Sequence, residues 1–271
     1  VGDQNGKLYR VTPPPVGRGG LIKPEVIELD IGGAHGLLYA FDSLYVMVNE
    51  GNRTHGLYRL RDTNGDDRFD EVKLLRALQA SGEHGAHSMI LSPDGKSIYV
   101  VVGNQSTVTQ VESSRLPFNW SEDNLVPRIP TGFMDNSLAP QGWIARTDPD
   151  GRQWELIAAG FRNEFDAAFN REGELFTYDA DMEWDIGEPW YRPTRVNHVI
   201  SGAEYGFRNG SGKWPDYFID SFGAVVNIGP GSPTGVTFGY GAKFPTNYQE
   251  AFLINDWSFG KLRAVHLTPA G

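Results

Sequence analysis

A unit of about 50 residues recurs along this chain: a small or polar start, an apolar strand, a tight turn and a second apolar strand. It appears as Ala34-His35-Gly36-Leu37-Leu38 followed by Leu44-Tyr45-Val46-Met47-Val48, and as Ala86-His87-Ser88-Met89-Ile90 followed by Ile98-Tyr99-Val100-Val101-Val102. It returns as Phe165-Asp166-Ala167-Ala168-Phe169 with Glu174-Leu175-Phe176-Thr177-Tyr178, and as Pro233-Thr234-Gly235-Val236-Thr237-Phe238 with Ala251-Phe252-Leu253-Ile254. Ser92-Pro93-Asp94-Gly95 and Asn170-Arg171-Glu172-Gly173 read as hairpin turns. A third strand is expected at Lys7-Leu8-Tyr9-Arg10-Val11, Gly56-Leu57-Tyr58-Arg59-Leu60, Trp143-Ile144-Ala145-Arg146-Thr147 and Lys261-Leu262-Arg263-Ala264-Val265.

No single sheet of this size buries both faces alone, so the repeat predicts an all-β chain: a β-propeller of four-stranded antiparallel blades, of the six-bladed type. The repeat starts and stops at a third strand. The expectation is therefore a single propeller domain over 1–271, truncated at both ends, an incomplete ring of about four to five blades. Two stretches break the period, 106–141 and 184–231. Loops of that length in a compact domain usually bind or cover something, so they are expected to crown one face and to present Trp190, Trp214 and Tyr217.

Composition narrows the functional classes. A formal charge of −10 and the lack of any basic run argue against a nucleic-acid partner. With no cysteine, disulfides and thiol chemistry are excluded within these 271 residues. No apolar run reaches the roughly 18 residues that span a bilayer, so no membrane span is expected in this chain.

Two polar clusters stand directly ahead of apolar strands, where a propeller strand enters its sheet: Gly82-Glu83-His84-Gly85-Ala86-His87 and Gly160-Phe161-Arg162-Asn163-Glu164. His35 and His198 also lie at strand-related positions and are candidates to face the channel. A third cluster, Asp62-Thr63-Asn64-Gly65-Asp66-Asp67-Arg68-Phe69-Asp70, spaces oxygen donors at alternate residues. Asp62, Asn64, Asp66, the Arg68 carbonyl and Asp70 are thus candidate calcium ligands. It is not an EF-hand, because Asp67 replaces the glycine and Lys73 stands where the bidentate glutamate belongs.

The stretch from His84 to Gly103, with Gly160-Phe161-Arg162-Asn163 and Gly202-Ala203-Glu204-Tyr205-Gly206, resembles the soluble sugar dehydrogenases that use pyrroloquinoline quinone (PQQ). It looks closer still to their bacterial "membrane-bound dehydrogenase" relatives, which often carry a cytochrome module. The resemblance implies a quinoprotein that oxidises a sugar or other alcohol in the periplasm or outside the cell and passes electrons to a cytochrome c. It implies His84 as general base, since counting back from Pro93-Asp94-Gly95 reaches His84 rather than His87, with Glu83 holding the imidazole. Arg162 and Asn163 match the family's Gly-x-Arg-Asn-Pro cofactor motif, although Glu164 replaces its proline; Gln105 is a further expected cofactor contact. Where the family has a calcium-holding Glu-His-Gly-Pro stretch, this chain has Tyr178-Asp179-Ala180-Asp181-Met182-Glu183, making Asp179 and Asp181 candidate calcium ligands. Two other readings stand beside this one: a non-catalytic propeller module that binds a glycan or protein, and a calcium-dependent, lactonase-like hydrolase.

Overall fold

The computed structural model describes residues 1–3, 6–120, 137–185, 188–208 and 221–270. Trp214 and Tyr217 fall outside that set, as does the side chain of Trp190. Four antiparallel sheets follow one another in chain order as propeller blades. The first blade is Ala34–Ala40, Ser43–Val48, Gly56–Arg61 and Glu71–Ala77. The second is Ala86–Leu91, Ile98–Val102, Gly142–Thr147 and Trp154–Phe161, with Ser113–Ser114 added in parallel on the outer edge. Ala167–Phe169, Leu175–Asp179, Thr194–Val199 and Val226–Gly229 make the third, and Pro233–Phe238, Phe252–Asp256 and Lys261–Val265 the fourth. Tyr9–Val11, expected as a third strand, pairs with Pro24–Val26, and among the described residues it joins none of the four blade sheets.

Strand alternation explains the order of the sheets. In Ile98–Val102, residues Ile98, Val100 and Val102 join Tyr45, Met47 and Leu57 of the first blade, together with Trp143 and Trp154. Val101, on the opposite face, packs with Ile144, Phe161, Leu175 and Val199 towards the third blade. Phe176, Tyr178 and Val196 then meet Val236, Phe252 and Ile254 of the fourth. A strand buried on both faces reads as a near-continuous apolar run, as Ile98-Tyr99-Val100-Val101-Val102 does. Each fully buried side chain of that size contributes about 1.5–3 kcal/mol.

The innermost strands are tied together near the axis by polar contacts. Ser88 Oγ of the second blade donates to Asp166 Oδ1 (2.6 Å), while Asp166 Oδ2 accepts the Val236 N–H of the fourth (3.0 Å). Gly36 lets the first blade's inner strand approach the second, because a Cβ there would lie 2.4 Å from the His87 carbonyl oxygen.

The stretch 184–231, expected as one long loop, contains two blade strands. Thr194–Val199 pairs with Leu175–Asp179, and Val226–Gly229 closes the sheet. Periodicity conceals the first of them because its buried residues include Thr194, Arg195 and Asn197. Arg195 and Asn197 share the face of Val199, which packs towards the second blade, while Thr194 bonds Tyr178 on the other face; an apolar pattern is the usual signal at such positions.

Candidate functional site

All four blades contribute to a cavity of about 760 Å³. His35 and Glu50 line it from the first blade, Glu83 and His84 from the segment leading into the second, and Arg162, Asn163 and Phe165 from the segment leading into the third. Asp181 and Glu183 follow the third blade's second strand, and Thr234 and Trp257 belong to the fourth. The fold thus brings His84, Glu83, Arg162, Asn163, Asp181 and His35 to one place.

His84 is 3% exposed, and its tautomer is set by a directional chain of amides. Gln141 Nε2 donates to the Ser137 carbonyl (2.9 Å), so Gln141 Oε1 is the acceptor for Asn104 Nδ2 (3.0 Å). Asn104 Oδ1 then faces His84 Nδ1 at 2.7 Å, which requires the proton on Nδ1 and makes Nε2 the basic nitrogen. Burial first, and then the Arg162 charge, lower the imidazole pKa to about 3 against the opposing Asn104 hydrogen bond. The ring is neutral at neutral pH and able to accept a proton. Its orienting partner is Asn104, where the sequence pointed to Glu83; Glu83 stands on the exposed rim.

Gln105 corrects a second expectation. Its Oε1 accepts the backbone N–H of His84 (2.9 Å), closing the turn that carries the histidine, and it does not line the cavity. His198 lies away from the cavity too, bonded to Glu174 Oε2 (2.7 Å) and stacked on Phe176.

The Arg162-Asn163 turn is held from beneath by Asp179, expected as a calcium ligand. Asp179 Oδ1 accepts the N–H groups of Arg162 (3.1 Å), Asn163 (2.8 Å) and Ala180 (2.9 Å), and Oδ2 lies 3.7 Å from Arg195 Nε. It is fully buried, so its oxygens serve the fold. Burial raises its pKa, while Arg195 and the three amides draw it back down. Asp181 does reach the cavity. Its Oδ2 accepts the Gly231 N–H, and burial pushes its carboxyl up to about 6, with Glu183 beside it adding to the rise.

Arg162 lies 3.6 Å from Glu183, and burial lowers its pKa against the pull of Glu183, Asp179, Asp181 and Glu83. Glu164 turns away from this group. It is wholly buried with both carboxylate oxygens lacking a hydrogen-bond partner, and burial beside Asp179 raises its pKa well above the usual range.

The Asp62 loop lies on the exposed side of the first blade and uses its oxygens internally. Asp62 accepts the N–H groups of Asn64, Gly65 and Asp67, Asn64 that of Asp66, and Asp66 that of Arg68. Asp70 accepts from both the N–H and the hydroxyl of Thr63. Among the described residues no three histidine, aspartate or glutamate side chains are grouped to hold a metal ion. In the loop the side-chain oxygens of Asp62, Asn64, Asp66 and Asp70 thus already accept hydrogen bonds from the chain, as do those of Asp179 under the Arg162 turn.

No family model matches the chain. Over 165 residues it is 25% identical to a 6-phosphogluconolactonase from Klebsiella pneumoniae (strain 342), a match covering 60% of this chain and 46% of that protein. The PQQ-bound aldose sugar dehydrogenase of Streptomyces coelicolor superposes with a TM-score of 0.56 at 15% identity, over 84% of this chain and 59% of the enzyme. A glucose dehydrogenase superposes with a TM-score of 0.59 at 15% identity, over 96% of this chain and 82% of its own. The chain thus spans less than two thirds of the length of the first two proteins. At these identities the likeness is one of architecture, and the chain has the propeller fold of the sugar dehydrogenases.

Proposed function

We propose that the axial cavity is the substrate site of a sugar- or alcohol-oxidising propeller, and that it takes a neutral polyhydroxylated substrate whose reacting hydroxyl gives its proton to His84 Nε2. The observation that carries this reading is the Ser137–Gln141–Asn104–His84 chain, which fixes an imidazole in its proton-accepting form on the cavity wall. A conjugate acid of pKa about 3 makes His84 a weak base in the empty cavity. The hydroxyl proton goes to Nε2 while the carbon gives up a hydride to a two-electron acceptor, a role the redox dye fills in the assay below, leaving a carbonyl.

Charge sets the substrate class. The described lining residues offer four carboxylates, on Glu50, Glu83, Asp181 and Glu183, against one guanidinium, on Arg162, which already faces Glu183. Such a wall repels a phosphorylated sugar and suits hydroxyl donors. The exposed Trp257 indole beside the cavity offers the flat apolar face on which a sugar ring stacks.

Oxidation of an alcohol carbon also needs a hydride acceptor. PQQ, the group bound in the Streptomyces coelicolor enzyme, is a tricarboxylate, and one paired guanidinium among four carboxylates does not complement it. The described residues as placed do not fit PQQ. The acid-rich wall and Trp257 also serve a second reading, a glycan-binding module without catalysis.

Dye-linked oxidation and calorimetry on the full chain, across neutral and phosphorylated sugars with and without added PQQ and calcium, test both. Turnover of neutral sugars that His84→Gln lowers about a hundredfold with little change in affinity supports the enzyme. Neutral-sugar binding without turnover under any condition supports the module. Preference for phosphorylated sugars, or tight PQQ binding, overturns the charge argument.

A further inference from the structure

One buried acid takes no part in the step assigned to His84 yet touches both sides of the site. Glu164 follows Asn163 in the chain and is wholly buried. A Cβ on Gly142 of the second blade would lie 2.6 Å from Glu164 Oε2, 3.1 Å from Oε1 and 3.0 Å from the Phe161 carbonyl oxygen. Gly142 is the next residue after Gln141, whose side chain belongs to the amide chain that orients His84. On the third blade Glu164 faces Asp179, the carboxylate that holds the Arg162 and Asn163 amides. The Arg162–Asn163 turn is also tied to the second blade: Asn163 Oδ1 lies 2.7 Å from His87 Nε2, and the Asn104 N–H donates to the Arg162 carbonyl (2.9 Å).

Neither carboxyl oxygen of Glu164 has a hydrogen-bond partner. Among the described residues the charged groups facing it are Asp179, on the third blade's second strand, and Arg195, on its third. Its contacts on the second blade, Gly142 and the Phe161 carbonyl, carry no charge. Asp179 repels a second anion. Arg195 is already drawn to Asp179, with Nε 3.7 Å from Oδ2, and donates to the Tyr205 carbonyl (2.9 Å). An ionised Glu164 is thus a buried charge without a partner, which is costly, and it sets acceptor against acceptor beside the Phe161 carbonyl. The protonated acid carries no charge and brings a donor of its own. Burial, and then the Asp179 charge, raise its pKa well above the ordinary carboxylate range.

We propose that Glu164 is a proton-held lock between the second and third blades: the neutral acid seats the Arg162–Asn163 turn, and loss of its proton unseats that turn and weakens ligand binding in the cavity. The effect on ligand binding rests on the proposed function; the lock does not. A new charge at Glu164 is relieved by water reaching it or by distance from Asp179, and either one moves the turn that the two acids share. Through Gly142 the same movement reaches Gln141 and the chain that orients His84. The unfolded chain releases this proton at the ordinary glutamate value, while the folded chain keeps it. The stability the lock contributes is therefore lost as pH rises through the folded value.

Carboxyl-carbon NMR on the full chain, labelled in glutamate, reads the lock without turnover between pH 7 and 10. One glutamate carboxyl is expected to be still protonated at pH 7, and the Arg162 and Asn163 amides should shift with the same midpoint as it ionises. Glu164→Gln, uncharged at every pH, should remove that carboxyl signal and leave both amides level; if it fails to fold, the matched midpoints of the parent chain decide. Glucose affinity should fall at least about tenfold through the midpoint in the parent and stay level in Glu164→Gln. Ionisation of every glutamate at pH 7, as a cation bound at Glu164 would cause, overturns the proposal. So does a carboxyl still protonated at pH 10, an ionisation that leaves both amides unmoved, or a glucose affinity unchanged through the midpoint. Matched midpoints without glucose binding at any pH support the lock and overturn the proposed function.

Discussion

The wall around His84 and Arg162 and the loop from Asp62 to Asp70 are both dense in polar side chains, and in the sequence both look like ligand sites. Their surroundings in the fold are opposite. The loop is exposed, and Asp62, Asn64, Asp66 and Asp70 each accept hydrogen bonds from within the loop. The wall is buried, and there His84 is held neutral and Asp181 is lifted to about 6. Ligand-like spacing therefore shows only that polar atoms are near one another. Whether they serve the chain or a ligand depends on which of them the local backbone has already engaged.

The sharpest way to break this comparison is to remove the brace under the wall. Asp179→Ala leaves Arg195 and three amides without their buried carboxylate, and a loss of about 3–5 kcal/mol in urea unfolding is expected. A loss below about 1 kcal/mol would mean that Asp179 does not hold the Arg162 turn.

Acid should act on the wall next. His84 and His87 both titrate near 3 when folded against 6.5 as free groups, so the unfolded chain binds more protons between those values and stability falls as pH drops through that window. Each ring contributes a slope of about 1.4 kcal/mol per pH unit. Asp181, raised from 3.8 to about 6, works the other way over that range, and its partial exposure makes its share smaller. Glu164, Asp166 and Asp179, all raised by burial, work the same way as Asp181, so the histidine share is read as a difference: between pH 7 and 5 His84→Gln should lose less stability in urea than the parent chain.

Asn104→Leu tests tautomer control. It removes the acceptor from His84 Nδ1 and the donor to Gln141, with an expected cost of about 1–3 kcal/mol. The imidazole nitrogen spectrum should lose its single Nδ1–H form. Persistence of one tautomer would show that something other than Asn104 sets it.

The smallest effect belongs to the loop. Asp62→Ala should shift stability by less than about 1 kcal/mol and leave sugar affinity unchanged. Millimolar calcium should leave the melting temperature where it is, and a saturable rise abolished by Asp62→Ala would restore a metal role.

Much of the architecture was legible because blade strands advertise themselves. The apolar run Ile98-Tyr99-Val100-Val101-Val102 and the turn Ser92-Pro93-Asp94-Gly95 locate a hairpin without help, and the structure has Gly95 at φ 68° as that turn requires. Thr194–Val199 was hidden because a buried polar layer around Arg195 and Asn197 replaces the usual apolar face. At the site, His84 and Arg162 were legible as polar groups placed just before strands. The roles of Asn104, Gln141 and His87 were not, since each depends on which amide faces which ring across 20 to 76 residues of chain. Asp179 shows a related ambiguity: a carboxylate accepting three amides has the same sequence signature as one that binds a cation.

The account stands most directly on a titration of the nitrogen-labelled full chain at pH 7 with glucose and, separately, with glucose 6-phosphate. It predicts that the His84 ring and the Arg162 guanidinium shift together with glucose, and that the phosphorylated sugar binds at least about tenfold more weakly because of the carboxylate wall. Tighter binding of glucose 6-phosphate, or a shift at only one of the two side chains, would contradict it.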